Sequence, residues 1–205
     1  MKKSLLLSLF LILLASCGVT NFQAKYAVGL NEVESPSDAK KQFGETKIQN
    51  FDEGDLTKYQ FEDDYINIVW YVSATQFNFT LTNKSKYAIK LDWDNISYVN
   101  TDGIVGRVMH AGVKYTDRNS SQPPTTVPRG ATISDILLPV DNVYFSEYVG
   151  WREKLLIPSF YQSKEAMEKG APTYVGKQMK VFMPILIENV ENDYTFVFNI
   201  DKLLQ

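Results

Sequence analysis

The chain has 205 residues, a formal net charge of −3, one cysteine and one histidine. That slight acidic excess excludes the basic footprint on which nucleic-acid binding or adsorption to anionic lipid depends. One cysteine excludes an intrachain disulfide, and with a single histidine beside it a protein-built zinc centre lacks its usual ligands, so no metal and no other cofactor is implied.

The first residues, Met1-Lys2-Lys3, are positive, and residues 5–14 are almost entirely apolar. A membrane-spanning helix needs roughly 20 apolar residues to cross about 30 Å of hydrocarbon, and this run is too short. It reads as the core of a secretory signal, with small Ala15 and Ser16 where a peptidase needs room. The tetrapeptide Leu14-Ala15-Ser16-Cys17 resembles the lipobox of bacterial lipoproteins. The resemblance is confined to this N-terminal segment. It implies cleavage between Ser16 and Cys17, diacylation of the Cys17 sulfur and acylation of the new amine. Gly18, where an inner-membrane retention signal often has Asp, implies sorting to the outer membrane of the cell envelope. Each buried methylene contributes about 0.8 kcal/mol, and two or more chains hold where one only visits, so lipid on Cys17 would anchor the chain without a spanning helix. The organisation expected is a signal peptide over 1–16, a lipidated tether over 17–31 that is mobile or joins a sheet edge, and one domain over 32–205.

Along that domain, Ser35, Pro36 and Gly44 carry helix start and stop signals, and predict a short helix over 35–44. Residues 51–64 are acidic and turn-rich; they lack the ligand spacing of a calcium loop and read as a solvated loop. From Tyr65 onward the pattern is that of strands. Ile66, Ile68 and Trp70 share one face, then Phe77, Phe79 and Leu81, then Tyr87, Ile89, Leu91 and Trp93, each set alternating with mostly polar residues. Asp102-Gly103 predicts a tight hairpin turn, with a return strand over 104–110. Pro123, Pro124 and Pro128 predict a long surface loop, and residues 132–140 another strand. Residues 141–177 read as irregular, apart from a helical turn at 164–169 after Ser163. Strands over 180–189 and 193–201 close the chain as a hairpin, with Pro184 marking an edge or a bulge. Aromatic-rich strands with frequent turns and little helix predict a mainly β fold, an antiparallel two-sheet sandwich that is immunoglobulin-like in architecture. Such a label carries no function by itself.

Three sets of residues compete for chemistry. Asp92 and Asp94 flank Trp93; on a strand they would face one way about 6–7 Å apart, within reach of a glycosidase carboxylate pair, although a wet strand face explains them as well. His110 could serve a hydrolase triad, but no Gly-x-Ser-x-Gly accompanies it. Arg107, His110, Lys114, Arg118 and Arg129 form a locally basic stretch in an acidic protein, and Trp151-Arg152 adds residue types enriched at interface hot spots. The expectation is a non-catalytic binding or assembly module for an envelope protein or glycan, using Arg107, His110, Arg118 and Trp151. The alternatives are a lipid-anchored hydrolase and a purely structural envelope component. Replacing Cys17 by Ser is expected to abolish the acyl mass increment on the native product, read by intact-mass spectrometry, and to move the protein from the membrane pellet to the soluble fraction.

Overall fold

Alternation of large apolar and smaller polar side chains sets the elements of the computed structural model, which describes residues 22–34 and 44–204. The strands are β1 (Phe22–Gln23), β2 (Lys25–Glu34), β3 (Lys47–Glu53), β4 (Leu56–Glu62), β5 (Ile66–Val72), β6 (Phe77–Asn83), β7 (Ile89–Leu91) and β8 (Ser97–Val99). They continue with β9 (Val105–Met109), β10 (Thr125–Val127), β11 (Thr132–Pro139), β12 (Val143–Ser146) and β13 (Gly150–Glu153). After β14 (Phe160–Tyr161) comes the one α-helix among the described residues, α1 (Lys164–Gly170), and then β15 (Gln178–Ile187) and β16 (Val190–Leu204).

Hydrogen bonding runs from β3 through β4, β5, β6 and β11 to β9, then through β8 to β15. β15 also pairs with β7, which carries β10, and on its other edge with β16, which pairs with β2. All of these pairings are antiparallel. The path is continuous, because β9 and β11 meet at Leu138–Met109 and Pro139–Val108. The portion around β15 and β16 curls toward a barrel. β12 pairs with β13, and β1 with β14, as separate two-stranded sheets.

The core lies where β5 and β6 face β15 and β16. Trp70 meets Phe196 at 4.9 Å, Phe79 at 5.3 Å and Phe198 at 5.6 Å between ring centroids. Phe77 meets Phe198 at 4.9 Å and Tyr98 at 5.7 Å. The period-two sets expected from the sequence, Ile66, Ile68 and Trp70 with Phe77, Phe79 and Leu81, are all buried here. Trp70 Nε1 is buried without a hydrogen-bond partner among the described residues, a cost of about 1–3 kcal/mol that the surrounding rings must outweigh.

Several local expectations are met. Gly103 takes φ 79° in the β8–β9 turn, and Asn100 Oδ1 accepts from the N–H groups of Asp102 and Ile104. Ser163 caps α1 by accepting from Ala166 N at 3.0 Å. The terminal hairpin forms as expected, but its two-residue turn falls at Glu188 and Asn189, both at positive φ, and not between the expected strands 180–189 and 193–201. Pro184 sits where β15 changes partner, between its pairing with β8 at 180–182 and with β7 at 185–187. A residue without an N–H is tolerated in such a gap.

Other expectations are corrected. Residues 51–64 are not a loop: β3 and β4 pair without a break from Lys47–Glu62 to Glu53–Leu56. Apart from Asp63, which is buried, their charges face solvent on an exposed hairpin and pair across it, as Lys58 does with Glu53. Tyr87 precedes β7 and is exposed. The described part of the tether segment needs no correction: it joins a sheet edge, as one expectation for it had it, with β2 running along β16 from Lys25–Leu204 to Glu34–Thr195. The helix expected over 35–44 falls, apart from Gly44, outside the described residues. No helix among the described residues is long and apolar enough to cross a membrane.

Phe196 is 0 % exposed and touches Trp70, Phe61 and Tyr194. Phe196→Ala is therefore expected to cost about 3–5 kcal/mol in urea unfolding. Ile48→Ala, on the exposed outer strand β3, should stay within about 0.5 kcal/mol of wild type in the same measurement.

Candidate functional site

The basic stretch begins on β9 and continues through residues 114–122, which fold back beside it. Arg107 donates to Asp94 Oδ1 at 2.9 Å, to Asn119 O at 3.0 Å and to Ser120 O at 3.3 Å. Asp94 also accepts from the Ser121 hydroxyl and from Gln122 N at 3.2 Å. The Ser121 bond, with help from Gln122 and Arg107, holds the Asp94 carboxyl below the usual carboxylate range, against a smaller opposing effect of desolvation. Gln122 is buried, donates through Nε2 to Val108 O at 2.8 Å and accepts through Oε1 from His110 N at 3.1 Å. One buried amide thus fastens the loop to the end of β9.

His110 is stacked on Trp93, with centroids 4.2 Å apart and planes 6° from parallel. Its Nδ1 lies 3.3 Å from Asp135 Oδ2, and the same carboxylate accepts from Ala111 N and Ile136 N. Trp93 is buried and donates from Nε1 to Thr125 Oγ1 at 2.9 Å. Among the described residues no hydroxyl is hydrogen-bonded to the other nitrogen of the His110 ring.

Asp92 and Asp94 do not lie on a strand. β7 ends at Leu91, and residues 92–95 turn, with Asn95 N donating to Asp92 O at 3.1 Å and Asp94 N to Asp92 Oδ1 at 3.3 Å. Asp92 serves its own turn while Asp94 reaches across to β9 and the following loop. A turn reverses the chain, so the strand geometry that would align two carboxylates does not apply here. Among the described residues no three His, Cys, Asp or Glu side chains gather as a metal site. Cys17 and Ser16 lie outside the described residues.

Arg118 and Trp151, far apart in sequence, are brought together. The Arg118 guanidinium carbon lies 5.1 Å from the Trp151 ring centroid, and Arg118 Nη1 donates to Tyr115 O at 2.8 Å. Tyr115 packs edge-on to Trp151 at 5.8 Å and hydrogen-bonds to Glu153 on β13. That bond raises the Tyr115 hydroxyl pKa, with burial adding to it. Phe145 on β12 packs on Trp151 at 5.5 Å, directly across the strand pair.

Residues 141–177, expected to be irregular, contain the β12–β13 hairpin. Residues 147–149 form its tip, and Gly150 follows at φ 75°, a three-residue turn closed by a left-handed glycine. The signal was available in Phe145-Ser146-Glu147-Tyr148-Val149-Gly150-Trp151. Tyr148 is 96 % exposed, Phe145 60 %, and Val149 and Tyr144 are exposed as well. Below them Val143 packs with Met109, Leu138 and Val140 in a second, smaller core. The result is an apolar tip on a root braced by edge-on ring contacts, a cation over a ring, and buried contacts.

Comparison with protein-family models, with curated proteins and with solved structures finds no match.

Because folding depresses the Asp94 pKa, its contribution to holding the loop is present above the ordinary carboxylate range and is lost as pH falls through the lowered value. Hydrogen exchange of residues 119–122 is expected to be slow at neutral pH and to lose protection, relative to the β5 and β6 amides, as acid protonates Asp94. Asp94→Asn should show that loss already at neutral pH.

Proposed function

We propose that this chain is a lipid-anchored component of the bacterial cell envelope, sorted to the outer membrane, that holds a partner protein without catalysing a reaction on it. The observation that carries the binding reading is the β12–β13 hairpin, which presents Tyr148, Phe145 and Val149 to solvent on a braced root. Apolar groups left in water on a rigid support are those that gain most when a partner covers them. Tyr, Trp and Arg also bring large contact area at modest entropy cost, and here Arg118 and Trp151 are already ordered by one another. Arg107 and His110 hold the neighbouring 119–122 segment and the end of β9, through bonds to Asp94, Asn119, Ser120, Gln122 and Asp135. The anchor reading stands on the lipobox resemblance at Cys17. The platform is read as sandwich-like, immunoglobulin-like in layering alone, with the β5–β6 face set against the β15–β16 face.

The test places a photoreactive amino acid at Tyr148 in cells and identifies the adduct. One dominant envelope protein is expected. Its purified form should bind the Tyr148→Ala/Val149→Ala variant at least tenfold more weakly than wild type, with urea midpoints unchanged because both side chains are exposed. Equal binding removes the hairpin from the reading, and retention on glycan in place of protein replaces the partner class.

A further inference from the structure

A second apolar surface lies apart from the hairpin, where the curled sheet does not close. β2 pairs with β16 and β4 with β3 and β5, but β2 and β4 are not hydrogen-bonded to one another. Between them runs a cleft in two adjoining parts, of about 540 Å³ and about 390 Å³. Tyr26, Val28, Leu56, Tyr71, Val72 and Leu204 line both parts. Ligand clefts are commonly about 300–1,000 Å³ and mostly apolar. Leu56 is 39 % exposed and Leu204 46 %, so the lips are apolar groups left in water. The Tyr26 hydroxyl is engaged with Pro158 O at 3.1 Å and with the Tyr161 hydroxyl at 3.2 Å, which leaves ring carbon to the cleft. Lys25, Lys202 and Asp55 stand at the rim. An apolar trough with charged groups at its mouth fits a hydrocarbon chain with a polar head.

The position of the chain's own beginning selects the occupant. Gln23, Ala24 and Lys25 also border the cleft. Residues 18–21 separate Cys17 from Phe22, a reach of at most about 18 Å. An acyl chain covers one leaflet, half of a ~30 Å hydrocarbon core. Lipid on Cys17 is therefore tethered within about 18 Å of Phe22, which adjoins Gln23 at the cleft border. Being tethered, it has an effective concentration in the millimolar range that a free lipid would have to exceed.

Resting on the anchor reading above, we propose that the cleft between β2 and β4 receives one acyl chain of the protein's own Cys17 lipid. The remaining chains stay in the bilayer, so the cleft face is held against the membrane. The hydrocarbon exchanges a lipid environment for a protein one and covers Leu56 and Leu204, which would otherwise face water.

The experiment feeds cells a fatty acid carrying a terminal diazirine, purifies the full acylated chain into phospholipid nanodiscs and irradiates it. Mass spectrometry then follows cross-links from Cys17. The expected product joins the Cys17 peptide to peptides containing Leu56 or Tyr71-Val72, and falls at least tenfold in Leu56→Glu and in Leu204→Glu. These two exposed positions tolerate charge in the fold, which unchanged urea midpoints check. Cross-links only to phospholipid, or equal yields in the variants, overturn the cleft assignment while leaving the anchor intact. Absence of any acyl mass on Cys17 overturns the anchor and the cleft occupant together.

Discussion

Burial of the ring cluster around Trp70 is the constraint on which the rest of the structure depends. There is no disulfide to close the chain, so the β5–β6 half and the β15–β16 half are joined by the β9–β11 contact and by apolar burial. Each aromatic pair adds about 0.5–1.5 kcal/mol beyond area burial when rings meet edge-on or offset. Trp70 makes four such contacts, with Phe77, Phe79, Phe196 and Phe198. A polar fastening supplements them. The buried carboxylate of Asp63 accepts from Tyr65 N, Ile66 N and the Tyr194 hydroxyl. Burial pushes that carboxyl upward in pKa while the three donors pull it back. Without those donors a carboxylate at this depth would be expensive.

The cluster sets where everything else can be. With β15 and β16 pressed against β5 and β6, β8 and β9 continue the sheet around the core and bring Arg107 and His110 beside the turn after β7. Arg107, His110 and Arg118 then have acidic or carbonyl partners close by. They tie a loop down, and the protein's outward-facing feature in that region is apolar. Local charge says which groups seek partners; whether those partners are internal depends on what the sheet brings near.

The exposed apolar surfaces arise where strand pairing is incomplete. The β12–β13 hairpin is a two-stranded sheet of its own, so its tip has no second layer. The cleft exists because β2 and β4 approach without hydrogen-bonding. In each case side chains that would be core in a closed sheet meet solvent, and rigid neighbours hold them there.

The sequence by itself determined the mainly β character, the inward faces of β5, β6 and the final hairpin, the turn at Asp102-Gly103 and the cap at Ser163. All of these follow from local rules: period two along a strand, left-handed φ at Gly or Asn, and a hydroxyl at a helix start. The resemblance at Cys17 is likewise local. Tertiary structure alone decided that Asp94 finds Ser121, that Trp93 stacks on His110, that Arg118 lies over Trp151, and that residues 26, 56, 71 and 204 share a cleft. Those partners are distant in the chain, and no periodicity relates them. They meet because burying the aromatic faces admits only some strand orders, and the choice among those orders is made by packing over the whole molecule.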